Sequence, residues 1–449
     1  MLGLMTVPNS IGGVMGAWRH PDAWPDNRIM NLDHYISIAK TAERGKFDCL
    51  FVADNNAVEQ MGNPELFEAL SPLDRPANFE PLTLYAALSQ HTKNIGFVST
   101  ATTTYEEPYL LARKFASLDH ISKGRAAWNI VTSYNPEDSR NFGIDEPLGR
   151  NQRYPRASEF VDVVTGLWDS WAEDAFVQNR ETGQFLDPSR VHVLNHEGKY
   201  LKVKGPLNVA RPIQGHPVMF TAGQSEPGRE LAAKHADCLF AVAMTKEDGV
   251  ALCRDVKGRL GKYGRTPDML KIFPAISVYV GETAEAAEKL YQEVGDLILP
   301  HLGVKYLEKT LKTDLTGHDL DGPVPAIDFA EAESSGIVSI SQEMARYFRE
   351  NNMTIRQAYQ STMRITGGAL FKGSPTQIAD EIEDWYRSGA CDGFLIAPPI
   401  VPTVLEDFVD LVVPELQRRG IFRTEYTGRT LRENLGLKHP PSQFFGTSA

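Results

Sequence analysis

Asn94–Ser133 reads NIGFVSTATTTYEEPYLLARKFASLDHISKGRAAWNIVTS. Two short apolar runs, NIGFVST and AAWNIVTS, each end in small polar residues, as buried strands do. Between them, Glu107–Gly124 has helical spacing and closes on glycine in the manner of a helix terminus. Strand, helix and strand in that order make a parallel β-α-β unit.

The same alternation extends in both directions. LGLMTV, FDCLFVAD, PVMFTAG, ADCLFAVA, IFPAISVYVG and CDGFLIAP bring the candidate buried strands to eight. Eight strands alternating with helices predict a (β/α)8 TIM barrel rather than an open doubly wound sheet. Neither GxGxxG nor GxxxxGK[ST] occurs, so the chain carries no signature of its own NAD or ATP site. Two connections exceed one crossover, which places long insertions after strands 4 and 7. The expected organisation is a single domain over 1–449, with insertions at about 172–212 (partly β) and 298–366 (mainly helical) and a C-terminal extension from about 427 that wraps the surface or a neighbouring protomer. No repeat stands out.

The 449 residues carry a net charge of −12, which repels phosphodiesters and makes nucleic acid an unlikely ligand class. The four cysteines form no CxxC pair and there is no HExxH, so neither a disulfide framework nor a metal is expected. No apolar run reaches the ~18 residues of a spanning helix and no leader pattern is present, so a cytoplasmic protein without membrane contact is expected.

In a barrel, polar residues at strand C-termini face the mouth, which nominates Asp54, Thr100, Thr102, Asn129, Ser133 and the Gly223–Ser225 turn. Taken singly, each is equally a helix cap or a strand terminator. The turn GQSEPG, Gly223–Gly228, resembles a nucleophile elbow, but GxSxG needs glycine where Pro227 stands. Serine followed by proline instead suits an N-cap and first turn, leaving backbone N–H groups and a positive dipole end at the mouth. That geometry suits a phosphate or serves only as a cap. GRNQRYPRASEF offers Arg150 and Tyr154 for an anion, whereas Arg153 and Arg156 are equally a solvated face paired with Glu159. His20, between Trp18 and Trp24, is the best histidine for proton transfer, or else a packing residue; Asn9 and Trp18 are candidates to line the same mouth.

FDCLFVAD, EEPYLLARKFASLDHISKGRAAWNIVTS, NQRYPRASEFVDVVTGLW, HEGKYLKVKGPLNVARPIQGHPV and TAGQSEPGRELAAKHAD together resemble the bacterial-luciferase-like flavin monooxygenases. The likeness is to the subgroup acting on nitrilotriacetate, EDTA and dibenzothiophene sulfone, to which a chain of pristinamycin synthase also belongs. The resemblance implies a two-component monooxygenase that takes reduced FMN (FMNH2) from a separate NAD(P)H:flavin reductase. With O2 it would oxygenate a small organic substrate through a flavin C4a-(hydro)peroxide, often with C–N or C–S cleavage. By motif, flavin contacts fall on Asp54 and Thr100 near the ring and on Arg150, Tyr154 and Ser225 at the phosphate, with His20 as the catalytic candidate. A homodimer or homotetramer is implied. Alternatives are an F420-dependent oxidoreductase on a similar barrel, a serine hydrolase (disfavoured by Pro227) and a non-catalytic flavin-binding protein. Many relatives carry His where Arg150 stands and Gln where Thr221 stands.

Overall fold

The computed structural model describes residues 1–6, 13–24, 30–58, 61–69, 77–327, 337–363 and 368–446. Nine parallel strands form the main sheet: β1 Leu2–Thr6, β2 Cys49–Val52, β3 Gly96–Thr102, β4 Ala126–Val131, β5 Val218–Thr221, β6 Cys238–Ala241, β7 Lys271–Val280, β8 Ala369–Gly373 and β9 Phe394–Ala397. β1 through β7 pair in sequence, and β9 joins β7 to β1, so eight strands close into a barrel. All eight segments expected from the sequence are its staves.

β8 is the strand that the apolar pattern did not show. β7 is ten residues long; its first part pairs with β6 up to Pro274, and its second part pairs with β8 from Ile276 to Val280. β8 thus takes over one edge of β7 where β6 has ended. It is short and alternates buried Ala369, Phe371 and Gly373 with half-buried Leu370 and Lys372, a pattern easily lost at the end of a long helical insertion.

Alternation along each strand separates two cores. Cys49, Phe51, Val98, Phe220, Cys238 and Phe273 fill the barrel interior. Leu50 and Val52 point outward against Tyr35 and Ile38 of α1 (Leu32–Arg44). α2 (Pro81–Leu88) and α3 (Pro108–Ile121) follow β2 and β3. α1 ends at Gly45, whose φ is ordinary; the left-handed residue is Lys46. Glycine is needed at 45 because a Cβ there would lie 2.6 Å from Val409.

After β4 come a short helix, Pro136–Arg140, then α4 (Arg150–Trp168) and an irregular stretch holding the antiparallel pair His196–Glu197 and Lys202–Val203. α5 (Glu226–His235) follows β5 and α6 (Lys246–Arg259) follows β6. Between β7 and β8 lie α7 (Ala284–Asp296), α8 (Pro300–Leu311), α9 (Ile337–Glu350) and α10 (Ile355–Thr362). Buried residues of these helices, among them Leu307, Phe348 and Tyr359, share one apolar cluster with Val14, Ala17 and Ala23 of the loop after β1. Among the described residues no helix is long and apolar enough to cross a membrane.

The barrel's lower end is sealed by one device used three times. Asp48, Asp237 and Asp392 each precede a strand and accept the N–H of a residue starting the neighbouring one: Leu2 at 2.8 Å, Met219 at 2.9 Å and Ile272 at 2.8 Å. Each carboxylate is paired, with Arg423, Arg432 and Lys257 respectively. Two of those cations come from the C-terminal segment, whose Leu431, Leu435 and Leu437 enter the interior cluster. The tail plugs the barrel with these leucines, which find the apolar interior that the strands leave open below, and beyond them it runs along the surface as expected, with Pro440, Gln443 and Phe444 against Arg211, Asp169 and His192. A repeat also exists: Asp48–Phe51 and Asp237–Phe240 are both DCLF, and Phe51 stacks on Phe240 at 5.5 Å.

Arg432 meets Asp237 with two bonds, of 2.8 and 3.1 Å, in a buried setting. Arg432→Met strands that carboxylate and is expected to cost roughly 3–5 kcal/mol, whereas Arg44→Met, at a half-exposed pair with Asp410, costs below about 1 kcal/mol. Urea midpoints compare the two; equal shifts would refute the seal.

Candidate functional site

The β5–α5 turn is built for close backbone approach. Ser225 is the N-cap of α5, yet its hydroxyl makes no capping bond. A Cβ on Gly228 would sit 2.7 Å from the carbonyl carbon and oxygen of Gly223, so only glycine lets the helix start against the turn. The first amides of α5 have no helical acceptor. Above them the Tyr154 hydroxyl lies 3.2 Å from Ser225 Oγ. Arg150 opens α4 one helical turn before Tyr154, and its side chain has no ion pair or hydrogen bond among the described residues. Two hydroxyls meet at unspent amides, with a guanidinium one turn earlier on the Tyr154 helix, which is a donor set suited to a phosphate. No histidine or carboxylate hydrogen-bonds Ser225 among the described residues, so the arrangement lacks the base that a serine nucleophile needs.

Thr100 and Asn129 point into the barrel above the apolar layer. Thr100 Oγ1 donates to the Val52 carbonyl at 2.5 Å, so it must accept from Asn129 Nδ2 at 2.8 Å. This chain fixes the amide's orientation, leaving Asn129 Oδ1 buried without a partner. A buried acceptor with no donor among the described residues fits a ligand bearing an N–H, such as the ring system of a flavin. The Thr100 proton is already committed to protein, so toward a ligand Thr100 Oγ1 can only accept, as Asn129 Oδ1 can. A polar residue inside an otherwise apolar strand was its signal in the sequence. Ser133, beyond β4, holds φ 29° and donates to Thr102 Oγ1 at 2.9 Å.

Asp54, two residues past β2, accepts from Asn78 Nδ2 at 2.8 Å. Burial pushes its carboxyl up to about 6, against the opposing pull of that hydrogen bond. His20 follows the 3-10 turn Ala17–Arg19, and its Nδ1 accepts the N–H of Asp22 at 3.1 Å. The neutral ring therefore carries its proton on Nε2. No hydrogen bond joins His20 to the Ser225 cluster among the described residues; its loop is tied instead to the loop after β9 by Trp24 N–H to Val401 O. Asn9 lies outside the described residues. Arg153 and Arg156 do not pair with Glu159, which instead accepts from His196 and from the backbone of Tyr200 and Leu201. Arg153 donates to Leu148 O at 3.2 Å and Arg156 to Thr103 O. Among the described residues no group of three or more His, Cys, Asp or Glu is placed to hold a metal ion.

A closed parallel (β/α)8 barrel whose polar groups gather at the C-terminal ends of its strands has the architecture of a barrel enzyme with its site at that end. Residues 12–392 match the luciferase-like monooxygenase family model, and the chain belongs to that family. It is 45% identical over 438 residues to N-acetyl-S-(2-succino)cysteine monooxygenase of Bacillus subtilis (strain 168), covering 96% of each chain. Nitrilotriacetate monooxygenase component A of Aminobacter aminovorans is 46% identical over 437 residues, 96% of this chain and 95% of that one. The crystal structure of riboflavin lyase with modified FMN and riboflavin superposes with a TM-score of 0.84 at 31% identity, covering 98% of this chain and 96% of that one. The chain is accordingly a flavin-dependent monooxygenase.

Asp54 carries a pH signature. Its folded pKa is raised, so the stabilisation it contributes is present below the unfolded value, ~4, and is lost as pH rises through about 6. Asp54→Asn should therefore gain stability over wild type between about pH 4 and pH 7. Urea unfolding across that range checks this, and a pH-independent difference would contradict the burial of the charge.

Proposed function

We propose that the chain is the oxygenase component of a two-component system, binding FMNH2 delivered by a separate NAD(P)H:flavin reductase. The observation that carries this reading is the Ser225–Tyr154 contact over the start of α5, with Arg150 unneutralised on the same helix as Tyr154. Ser225, Tyr154 and the α5 amides would donate to the FMN phosphate while Arg150 balances its charge. Asn129 Oδ1 would accept a ring N–H, and Asp54 would sit at the polar ring edge. Reduced FMN, when bound, supplies the two electrons with which O2 is activated. Phe51, Phe220 and Phe240 close the floor below and keep water from the ring. His20, with its proton on Nε2, is the group available to donate to oxygen or substrate.

The substrate class is a small organic molecule oxygenated next to nitrogen or sulfur, with C–N or C–S cleavage following. The names of the two relatives, one a thioether and one an amine, both carboxylated, support that class. A cytoplasmic homodimer or homotetramer completes the reading.

The test is turnover of N-acetyl-S-(2-succino)cysteine and nitrilotriacetate under 18O2 with a supplied reductase, read by product mass spectrometry. One 18O atom per turnover is expected, in the fragment that gains the oxygen, with the second atom leaving as water; binding of F420 in preference to FMN, or no labelled product from either compound or from a wider thioether and amine screen, would overturn it. Ser225→Ala should weaken FMN binding about tenfold, the worth of one charge-assisted hydrogen bond, while the rate at saturating flavin stays within about twofold. A loss confined to that rate would place Ser225 in the chemistry instead.

A further inference from the structure

The side chain of Gln224, immediately before Ser225, reaches the end of the neighbouring strand β6. Its Nε2 donates to the Val242 carbonyl at 2.9 Å, and its Oε1 accepts the Val242 N–H at 2.6 Å. The β5–β6 ladder has ended by then, with Phe220 opposite Cys238 and Thr221 opposite Leu239. Gln224 lies three residues past Thr221, and Val242 lies three past Leu239, so the amide supplies the next rung in the same register. A primary amide can do this because, like a peptide unit, it offers one donor and one acceptor. The backbone carbonyl of Gln224 is held as well, by Arg229 Nε at 2.7 Å, and Arg229 pairs with Asp255 on α6 at 2.8 Å.

We propose that Gln224 is a positioning residue for the cofactor phosphate: by pinning the β5–α5 turn to the end of β6, it holds Ser225 and the first α5 amides in their binding arrangement before the cofactor arrives. The proposal rests on the flavin reading of the site. The turn has no ladder partner of its own, and Gly223 gives it backbone freedom. Without the amide, the half-buried N–H and C=O of Val242 lose their partners and the turn samples other arrangements. Only the fraction of molecules with the turn in place would then bind phosphate at full strength, and apparent affinity falls by that fraction.

The experiment is calorimetric titration of the full chain with FMN, for wild type, Gln224→Leu, Gln224→Glu and Ser225→Ala, with melting temperatures as a check on folding. Gln224→Leu should bind about tenfold more weakly, as expected for two lost hydrogen bonds, with the rate at saturating flavin retained. Gln224→Glu gives a readout that a merely structural role does not. An ionised carboxylate can accept from the Val242 N–H but repels the Val242 carbonyl, whereas the protonated acid restores both bonds. The ratio of Gln224→Glu to wild-type affinity should therefore be low at about pH 8 and climb toward one by about pH 5.5; taking the ratio cancels the ionisation of FMN itself. Gln224→Leu binding within about twofold of wild type, or a Gln224→Glu ratio that is flat with pH, overturns the proposal. Wild-type protein that binds neither FMN nor, in an anaerobic titration, FMNH2 sinks the flavin reading itself. Weakened Ser225→Ala beside unchanged Gln224 variants removes only the role of Gln224.

Discussion

A ring of parallel strands has to satisfy the amides that begin each strand, where the ladder runs out, and this chain does so with buried aspartates. Asp48, Asp237 and Asp392 accept those N–H groups at barrel positions far apart in sequence. Charges taken out of water in this way need cations, and the chain returns its C-terminal segment beneath the barrel to deliver two of them. The shape of the rest follows. The bottom is filled with leucine and locked, so only the upper end is left for a ligand.

The two copies of DCLF show how finely that seal is balanced. Burial raises both aspartates and arginine lowers both, but the outcome differs in sign. Asp48 ends above the ordinary carboxylate range and Asp237, gripped by both nitrogens of Arg432, ends below it. Asp237 therefore contributes stability that is present above its unfolded pKa and lost as acid protonates it. Asp48 works in the opposite sense, its contribution fading as pH rises through its elevated value. Equivalent positions in one barrel can thus hold the same residue for the same backbone bond while differing in what ionisation costs. The upper end inverts the pattern: among the described residues Arg150 has no carboxylate partner and Asn129 Oδ1 no donor, and a bound phosphate and ring would supply both.

Much of this was legible in the sequence because it is local. Eight continuous apolar runs, buried on both faces, are written in consecutive residues, and so are Pro227 after Ser225 and Tyr154 one turn after Arg150. What was hidden depends on partners distant along the chain. Nothing near Gln224 announces that its amide faces Val242, and nothing near Arg432 announces Asp237. Asn129 was visible as a polar residue in a strand, but its unpaired acceptor emerges only once Thr100 is seen to donate to Val52. β8 was missed because its pairing with β7 exists only after β6 has stopped.

The two sides of the mouth are built by different means. The β5–α5 side is made of close backbone approach and hydrogen bonds: Gly223 against Gly228, Tyr154 on Ser225, Gln224 on Val242. It has little room to change without losing the turn. The His20 side is positioned by packing, since the loop after β1 shares its apolar cluster with helices of the insertion between β7 and β8. Apolar clusters accept coordinated substitution as long as volume and pattern are kept. A reshaped insertion would therefore move the His20 loop while leaving the β5–α5 turn in place. That division is a physical route by which relatives named for a succinylated thioether and for a tricarboxylic amine can differ at the mouth while keeping one barrel.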